Sequence, residues 1–389
     1  MKLFKSLLVA PAALGLLAPM TANANEVNLN EISNYSDVES IEFANFNNDI
    51  STESPLLAGG EGLMDDHDHG SEDSFSSTTS ASFSVDMAIG SVDGNKLDGN
   101  TANGTSEAVG TAYGYQIDLT TSFTGEDSLD VAIDAGAGAG QLGELDLNAT
   151  TSDALTLDGI SYTFPVGEKL TVLVGDSADG SALYSTACVY GGFTNTLDDC
   201  GNFNSAFIAN DRQPNSVALS AAMEIGNGFT GALGFQGQGT GTGLATKEST
   251  DYYGGQLSYS ADSYGASVTY ANLDTATSWA LNGYYTFASD LPSVSLGYEF
   301  TENEGTTADQ TQWFAGFQWD EIGPGSLGVS AGNKGPQSDG ATEEMAYEAF
   351  YAYSVNDSMT VTPAVFLLEN NGTGETDETG VVVKTSFSF

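Results

Sequence analysis

The chain has 389 residues, of which 53 are acidic and 8 basic, and its formal net charge is −45 although only 16% of its residues are charged. Eight basic residues cannot neutralise a run of phosphates, so nucleic-acid binding is excluded, as is electrostatic binding to an anionic membrane surface. A hydrophobic fraction of 40% with 10% aromatic residues excludes a wholly disordered chain, which lacks the apolar surface needed to offset its ordering entropy.

Residues 1–24 have the pattern of a signal peptide. Lys2 and Lys5 precede an apolar run over residues 7–17, and Ala22-Asn23-Ala24 is a cleavage pattern of small residues. Neither this run nor any later stretch reaches the ~20 apolar residues of a spanning helix, so a helical membrane protein is excluded. We expect an exported protein whose mature chain has 53 acidic and 6 basic residues, a net charge of −47.

Residues 25–74 form an acidic stretch without a regular hydrophobic period, which predicts a mostly disordered or weakly helical periplasmic segment. Its cluster Asp65-Asp66-His67-Asp68-His69-Gly70 offers imidazole and carboxylate groups that suit divalent metals. Chance histidines in an acidic linker are the favoured explanation, because no third, distant ligand is evident. The sequence therefore predicts no metal site and no cofactor.

From residue 75 to residue 389 apolar and polar residues alternate, which is the period of a half-exposed strand. In one such window Trp279, Leu281 and Tyr285 alternate with Ala280 and Asn282. Sixteen strands are predicted, near residues 75–89, 112–123, 128–137, 155–164, 168–176, 215–224, 229–237, 250–260, 264–272, 277–287, 292–302, 309–319, 325–332, 344–354, 358–368 and 380–389. The predicted fold is all-β, a transmembrane antiparallel β-barrel of about 16 strands with short periplasmic turns and long outer loops.

The predicted connections alternate between short and long. Short turns near residues 124–127, 165–167, 225–228, 261–263, 288–291, 320–324 and 355–357 separate longer polar segments. Tight turns at one end and loops at the other, with an even number of strands of ~9–11 residues, are typical of an outer-membrane barrel. A β-sandwich has no reason to sort its loops to one end, and its strands average ~5–6 residues.

The two faces of the predicted strands differ in polarity. One face is rich in aliphatic and aromatic residues and the other in hydroxyl, amide and acidic residues, which places the polar face in the lumen. Against the single inward base Lys384 stand these inward acids: Asp118, Asp130, Asp134, Glu224, Glu299 and Glu348. Lumen acids concentrate cations and repel anions, so we expect a weak cation preference. The alternative is that an acidic protein carries acids at every polar position without tuning selectivity.

Several stretches resemble known outer-membrane proteins. The last ten residues alternate strictly and end on Phe389, like the C-terminal strand of bacterial outer-membrane proteins. Other stretches resemble cyanobacterial outer-membrane porins, a family related to carbohydrate-selective porins: residues 1–4 and 7–19, EVNLN at 26–30, SNY at 33–35, SFTGED at 122–127 and ISYTFPVGEKL at 160–170. The resemblance implies a barrel in outer-membrane lipid that passes small hydrophilic solutes and ions and assembles as a homotrimer.

The chain departs from this family between the signal peptide and the barrel. Most such porins carry a surface-layer-homology domain and a coiled coil there, and only the acidic segment occupies that place in this sequence. Anchoring to peptidoglycan is therefore not expected.

The longest predicted connection, residues 177–214, contains both cysteines and the only arginine. We expect Cys188 and Cys200 to form a disulfide because the protein is exported, with two unpaired cysteines as the alternative. Porins fold their third loop into the lumen, so the resemblance makes this loop the candidate constriction, with Asp198, Asp199 and Arg212.

No enzymatic site is predicted. Both histidines, His67 and His69, precede the barrel, so neither a Ser-His-Asp triad nor a histidine-based metallohydrolase site can be assembled within it unless the linker folds back. Three functions remain open: a diffusion porin, a solute-selective porin for carbohydrate or inorganic iron, and a secreted surface β-protein such as an adhesin.

Overall fold

The structure is a computed structural model that describes residues 78–93, 109–138, 151–200, 216–238, 251–273, 275–288, 290–371 and 376–389, with residues 142, 144, 145, 147 and 244–246 in the loops. The chain divides into two units, residues 1–63 and 64–389, and every described residue belongs to the second. The predicted signal peptide and acidic segment, including His67 and His69, lie outside the described residues.

The described residues form β1 Thr79–Asp93, β2 Gly110–Thr121, β3 Ser128–Ala137, β4 Thr156–Val166, β5 Leu170–Asp176, β6 Ser216–Gly226, β7 Phe229–Gln238, β8 Asp251–Ser260, β9 Tyr264–Leu273, β10 Ala276–Tyr285, β11 Ser293–Asn303, β12 Gln310–Ile322, β13 Gly325–Asn333, β14 Gln337–Ser338, β15 Met345–Asn356, β16 Met359–Leu368 and β17 Glu378–Ser388. Sixteen of these are long, and β14 is a two-residue strand between β13 and β15. Within the described ranges no helix is long and apolar enough to cross a membrane.

The strands form one antiparallel sheet that closes on itself. β1 pairs with β2 on one side and with β17 on the other. The amides of Phe83 and Phe389 donate to each other's carbonyls at 2.9 and 3.0 Å, and their rings stack with centroids 5.7 Å apart. Closure leaves the sheet without an unpaired edge. The prediction of an all-β antiparallel barrel of about 16 strands is confirmed, and each long strand overlaps its predicted window.

The connections at the loop end are mostly longer than those at the turn end. The turn end of the barrel has tight hairpins such as the one between β6 and β7, where Asn227 and Gly228 have φ of 54° and 85°. Positive φ at both central residues matches the twist of the flanking strands. At the loop end the connection of β9 to β10 is only residues 274–275, so this pair forms a tight hairpin among longer loops.

The barrel wall is inverted relative to a water-soluble protein. Outward side chains are apolar and exposed, as at Leu233 (69%) and Leu281 (57%), whereas inward side chains are mostly polar and buried, as at Thr269 (0%) and Ser295 (1%). Leaving a leucine in water instead of burying it costs about 1.5–3 kcal/mol, so this outer surface requires an apolar environment.

Outward aromatic side chains gather at both ends of the strands. At the turn end, successive ring contacts with centroids 4.7–6.4 Å apart join Phe229, Tyr259, Tyr264, Tyr285 and Phe287 on β7 to β10 and the residues after β10. Near the loop end stand Tyr253, Tyr270, Trp279, Tyr298, Trp313 and Tyr347. Aliphatic side chains fill the space between these two rows, as in the girdled surface of membrane barrels.

Candidate functional site

Loop 3, the connection of residues 177–215 between β5 and β6, runs along the inner wall of the barrel over its described part, residues 177–200. Its backbone bonds inward side chains on five strands: Gly180 N to Gln236 on β7 (3.0 Å), Ser185 N to Gln256 on β8 (2.6 Å), Asn282 on β10 to Thr186 O (3.2 Å), Val189 N to Ser295 on β11 (3.1 Å) and Gly191 N to Gln318 on β12 (2.9 Å). The loop therefore occupies part of the lumen.

Side-chain amides are suited to anchoring loop 3 to the wall, because the N–H and C=O groups of its irregular buried backbone need both donors and acceptors. Gln256 accepts from Ser185 N, donates to Ser185 O at 3.0 Å and donates to Thr269 on β9 at 2.8 Å. Sequence reasoning missed these anchors and treated them as general lumen polarity. The available signal was the repetition of amides at inward positions of several strands.

Cys188 and Cys200 are bonded, with their sulfurs 2.00 Å apart, which confirms the predicted disulfide. The bond closes residues 188–200 into a ring that ends in a short 3₁₀ turn, Asp198–Cys200. Within the ring the amides of Leu197 and Asp198 donate to Thr194 O at 3.1 and 3.0 Å.

Glu348 on β15 binds this ring with both carboxylate oxygens. Oε1 accepts from Tyr190 Oη at 2.8 Å and from Phe193 N at 3.0 Å. Oε2 accepts from Thr194 N at 2.8 Å and from Thr194 Oγ1 at 2.6 Å. Burial raises the pKa of the Tyr190 phenol, and the charge of Glu348 raises it further, so Tyr190 remains a donor.

Aromatic side chains also pack the disulfide-closed segment 188–200 against the wall. Tyr190 contacts Phe314 on β12 and Phe350 on β15, with centroids 5.4 and 5.9 Å apart, and Phe193 stacks on Phe350 at 6.2 Å. The inward face is thus apolar here, although the sequence predicts a polar inner face. These positions face loop 3 instead of water, which is why they can be apolar.

Loop 2, the connection of residues 138–155 between β3 and β4, meets loop 3. Glu144 accepts from Thr196 Oγ1 at 3.0 Å, and its carbonyl accepts from Asn195 N at 2.8 Å. Burial raises the pKa of the Glu144 carboxyl, and the hydrogen bond from Thr196 opposes this shift. Leu142, Leu145 and Leu147 of loop 2 are buried in the apolar cluster around loop 3.

Three of the predicted lumen acids lie on β2 and β3, and two of them, Asp118 and Asp130, bond to side chains of these two strands. Asp118 accepts from Gln116 Nε2 at 2.8 Å, and Asp130 accepts from Thr120 and Ser128 hydroxyls at 2.8 Å. Both are half-buried. Asp86 on β1 shares this inner face, because its partner Gly114 lies on the same face of β2 as Asp118. Asp86 is not among the predicted lumen acids.

The other predicted site residues are dispersed. Asp134 is buried and accepts from Thr156 Oγ1, Glu224 is exposed at the turn end of β6, and Glu299 on β11 is 6% exposed. The Lys384 ammonium lies 5.6 Å from the centroid of the Phe193 ring. Asp198 lies in the 3₁₀ turn of loop 3. Arg212 and the side chain of Asp199 lie outside the described residues. Across the described ranges, no group of three His, Cys, Asp or Glu residues could hold a metal ion.

No family model and no curated protein matches this sequence. Among solved structures, the chain is similar to OprB of Pseudomonas putida, with 13% identity and a TM-score of 0.61 over 80% of this chain and 94% of that one. It is also similar to a triple mutant of the Rhodopseudomonas blastica porin, with 14% identity and a TM-score of 0.53 over 80% of this chain and 100% of that one. The chain therefore has the barrel fold of these bacterial porins.

Proposed function

We propose that this protein is an outer-membrane porin through which small hydrophilic solutes and ions diffuse passively. The observation that carries the proposal is the inverted wall, with apolar side chains such as Leu281 outward and polar side chains such as Thr269 inward. This arrangement suits lipid outside and water inside. The porin fold of the two solved structures supports the same function.

The dimensions of the wall agree with a bilayer. A ten-residue strand such as β10 rises ~3.4 Å per residue, and a tilt of ~40° gives it a height of ~26 Å, close to the ~25 Å apolar band of outer-membrane barrels. A secreted adhesin would expose the same outer surface to water, which soluble proteins avoid. The outer membrane is thus the proposed location.

Weak cation preference is part of the proposal. It is supported by Asp86, Asp118 and Asp130, which are inward and partly exposed on three adjacent strands. Constriction by loop 3 is supported by the course of residues 177–200 along β7 to β15. The contributions of Asp198, Asp199 and Arg212 to that constriction stay predictions.

Reconstitution into planar lipid bilayers under a KCl gradient tests this function. We expect stepwise increases in conductance and a reversal potential whose sign indicates cation preference. Absence of conductance from protein with the heat-modifiable migration of a folded barrel contradicts the channel. Block of the current by one carbohydrate or iron salt, with no effect of other solutes, favours the solute-selective alternative.

Four further predictions accompany this function. A homotrimer is expected from the resemblance to porins, and light scattering of the detergent complex measures it. Cleavage of a signal peptide predicts a mature protein that begins at Asn25, which mass spectrometry detects. The cyanobacterial affinity of the signal and early turns, and the absence of enzymatic activity, stay predictions.

A further inference from the structure

Glu348 is an acid of the inner wall that does not face open lumen. Its side chain is 3% exposed, and all four donors on its carboxylate come from loop 3. Asp118, on the same inner face at β2, is half-buried and accepts from Gln116 of its own strand. Both acids therefore point into the barrel, but they have different neighbours.

The donors to Glu348 all lie between the two bonded cysteines. Tyr190, Phe193 and Thr194 belong to the ring closed by Cys188 and Cys200, so the carboxylate and the disulfide hold the same short segment. Hydrogen bonds to an ionised acceptor are about twice as strong as neutral ones. Removing one partner of such a buried set leaves the other groups unsatisfied.

The glutamate also fixes the orientation of the ring. One oxygen binds Phe193 N and the other binds Thr194 N, so two successive backbone amides point at one carboxylate. The rings of Tyr190 and Phe193 then lie on Phe350, two positions along β15 from Glu348. Polar anchoring and aromatic packing therefore act on the same side of the ring.

We propose that Glu348 is a positioning residue that sets the bore of the channel by seating the 188–200 ring, and that it does not set charge selectivity. This inference rests on the proposed channel function. Ion selectivity then belongs to the inward acids that remain exposed or partly exposed, among them Asp86, Asp118 and Asp130 on β1 to β3.

The test compares Glu348→Gln with Asp118→Asn in planar bilayers. Each variant removes one inward carboxylate with little change of volume. In Glu348→Gln the new NH2 group faces a hydroxyl and a backbone N–H in either orientation. The N–H then has no acceptor, so the ring should detach about tenfold more often. We expect a second, larger conductance level whose occupancy rises about tenfold, with the reversal potential unchanged. Asp118→Asn should shift the reversal potential towards anions and keep a single conductance level.

Two results overturn the inference. One is a Glu348→Gln channel that keeps a single conductance level and whose reversal potential shifts as much as that of Asp118→Asn. The other is a Glu348→Gln channel identical to the native one. If Glu348→Gln does not show the heat-modifiable migration of a folded barrel, the double variant Tyr190→Phe and Thr194→Val is measured in its place. This variant removes two hydroxyl donors but keeps the glutamate, and the same conductance and reversal potential are expected of it. Failure of the channel function itself is distinct, because the native protein would then not conduct.

Discussion

The Tyr162 phenol on β4 donates a 2.6 Å hydrogen bond to Asp127, which closes the turn between β2 and β3. The other oxygen of Asp127 accepts from the Ser122 hydroxyl at 2.9 Å, from Phe123 N at 3.0 Å, and from the amide and hydroxyl of Thr124, both at 2.7 Å. The two early stretches that resemble the porin family, at residues 122–127 and 160–170, thus meet at one carboxylate.

Replacing Asp127 by Asn should lower the thermal stability of the barrel. The asparagine amide is neutral and its nitrogen cannot accept hydrogen bonds, so the turn donors bind an uncharged oxygen and the Tyr162 phenol no longer donates to a carboxylate. The measurement is the midpoint temperature of the heat-modifiable shift in detergent gels. Glu126→Gln, an exposed change in the same turn, is the control and should leave the midpoint in place.

The contribution of Asp127 should depend on pH. The hydrogen bond from Tyr162, together with those from Thr124 and Ser122, holds the pKa of the Asp127 carboxyl well below its usual range. A depressed pKa in the folded state adds stability above the unfolded pKa of ~3.9, and this stability is lost as the pH falls below that value. The midpoint difference between native protein and Asp127→Asn should therefore be largest near pH 7 and shrink below about pH 4. A difference that stays constant from pH 7 to pH 3 would count against the charged carboxylate.

Loss of the disulfide should destabilise the protein. A ring of this size, with a sequence separation of 12 between the cysteines, is expected to contribute about 3 kcal/mol through the entropy of the unfolded chain. Replacement of both Cys188 and Cys200 by Ser should lower the free energy of unfolding by about 2–3 kcal/mol in urea titrations. Thiol labelling of the unfolded, unreduced native protein should give no signal, and a signal of two thiols would refute the bond.

Gly316 on β12 gives loop 3 room to approach the wall. A Cβ at this position would lie 2.7 Å from Cγ of Tyr190 and 2.6 Å from Cζ of Phe314. Gly316→Val should therefore push the Tyr190 ring away, lower the free energy of unfolding by about 1–3 kcal/mol and increase protease cleavage within loop 3.

The matched control for this change is Gly231→Val on the outward face of β7. There a Cβ would meet only Cδ1 of Ile225, at 3.4 Å, so stability and cleavage should stay close to native. If both valine variants changed stability and cleavage equally, the cause would be the loss of a glycine from a strand and not the approach of loop 3 to the wall.

Selectivity should weaken as salt rises. Asp130 is partly exposed on the inner wall, and its field is screened as the Debye length falls from ~30 Å at 0.01 M to ~3 Å at 1 M. Asp130→Asn should reduce the cation preference at low salt and have little effect at high salt. Arg212→Ala should increase the preference if that side chain reaches the constriction. Reversal potentials measure both, and anion preference of the native channel would contradict the charge argument.

The strands, their closure and the polarity of the two faces could be predicted from the sequence. Alternation is a local property, because successive side chains of a strand point to opposite faces. Trp279 and Leu281 against Ala280 and Asn282 therefore identify outward and inward sides without knowledge of the neighbouring strands. The cysteine pair was also predictable, because an exported chain with two cysteines has one possible bond.

The course of loop 3 and the partners of Glu348 are decided only by the tertiary structure. The sequence pattern around an inward glutamate is the same whether its side chain faces water or protein backbone. The donors that distinguish the two cases lie 154 to 158 residues away along the chain. The apolar patch at Phe314 and Phe350 likewise breaks the inward polarity only because loop 3 covers it. Local alternation determines which way a side chain points, and long-range contacts determine what it meets there.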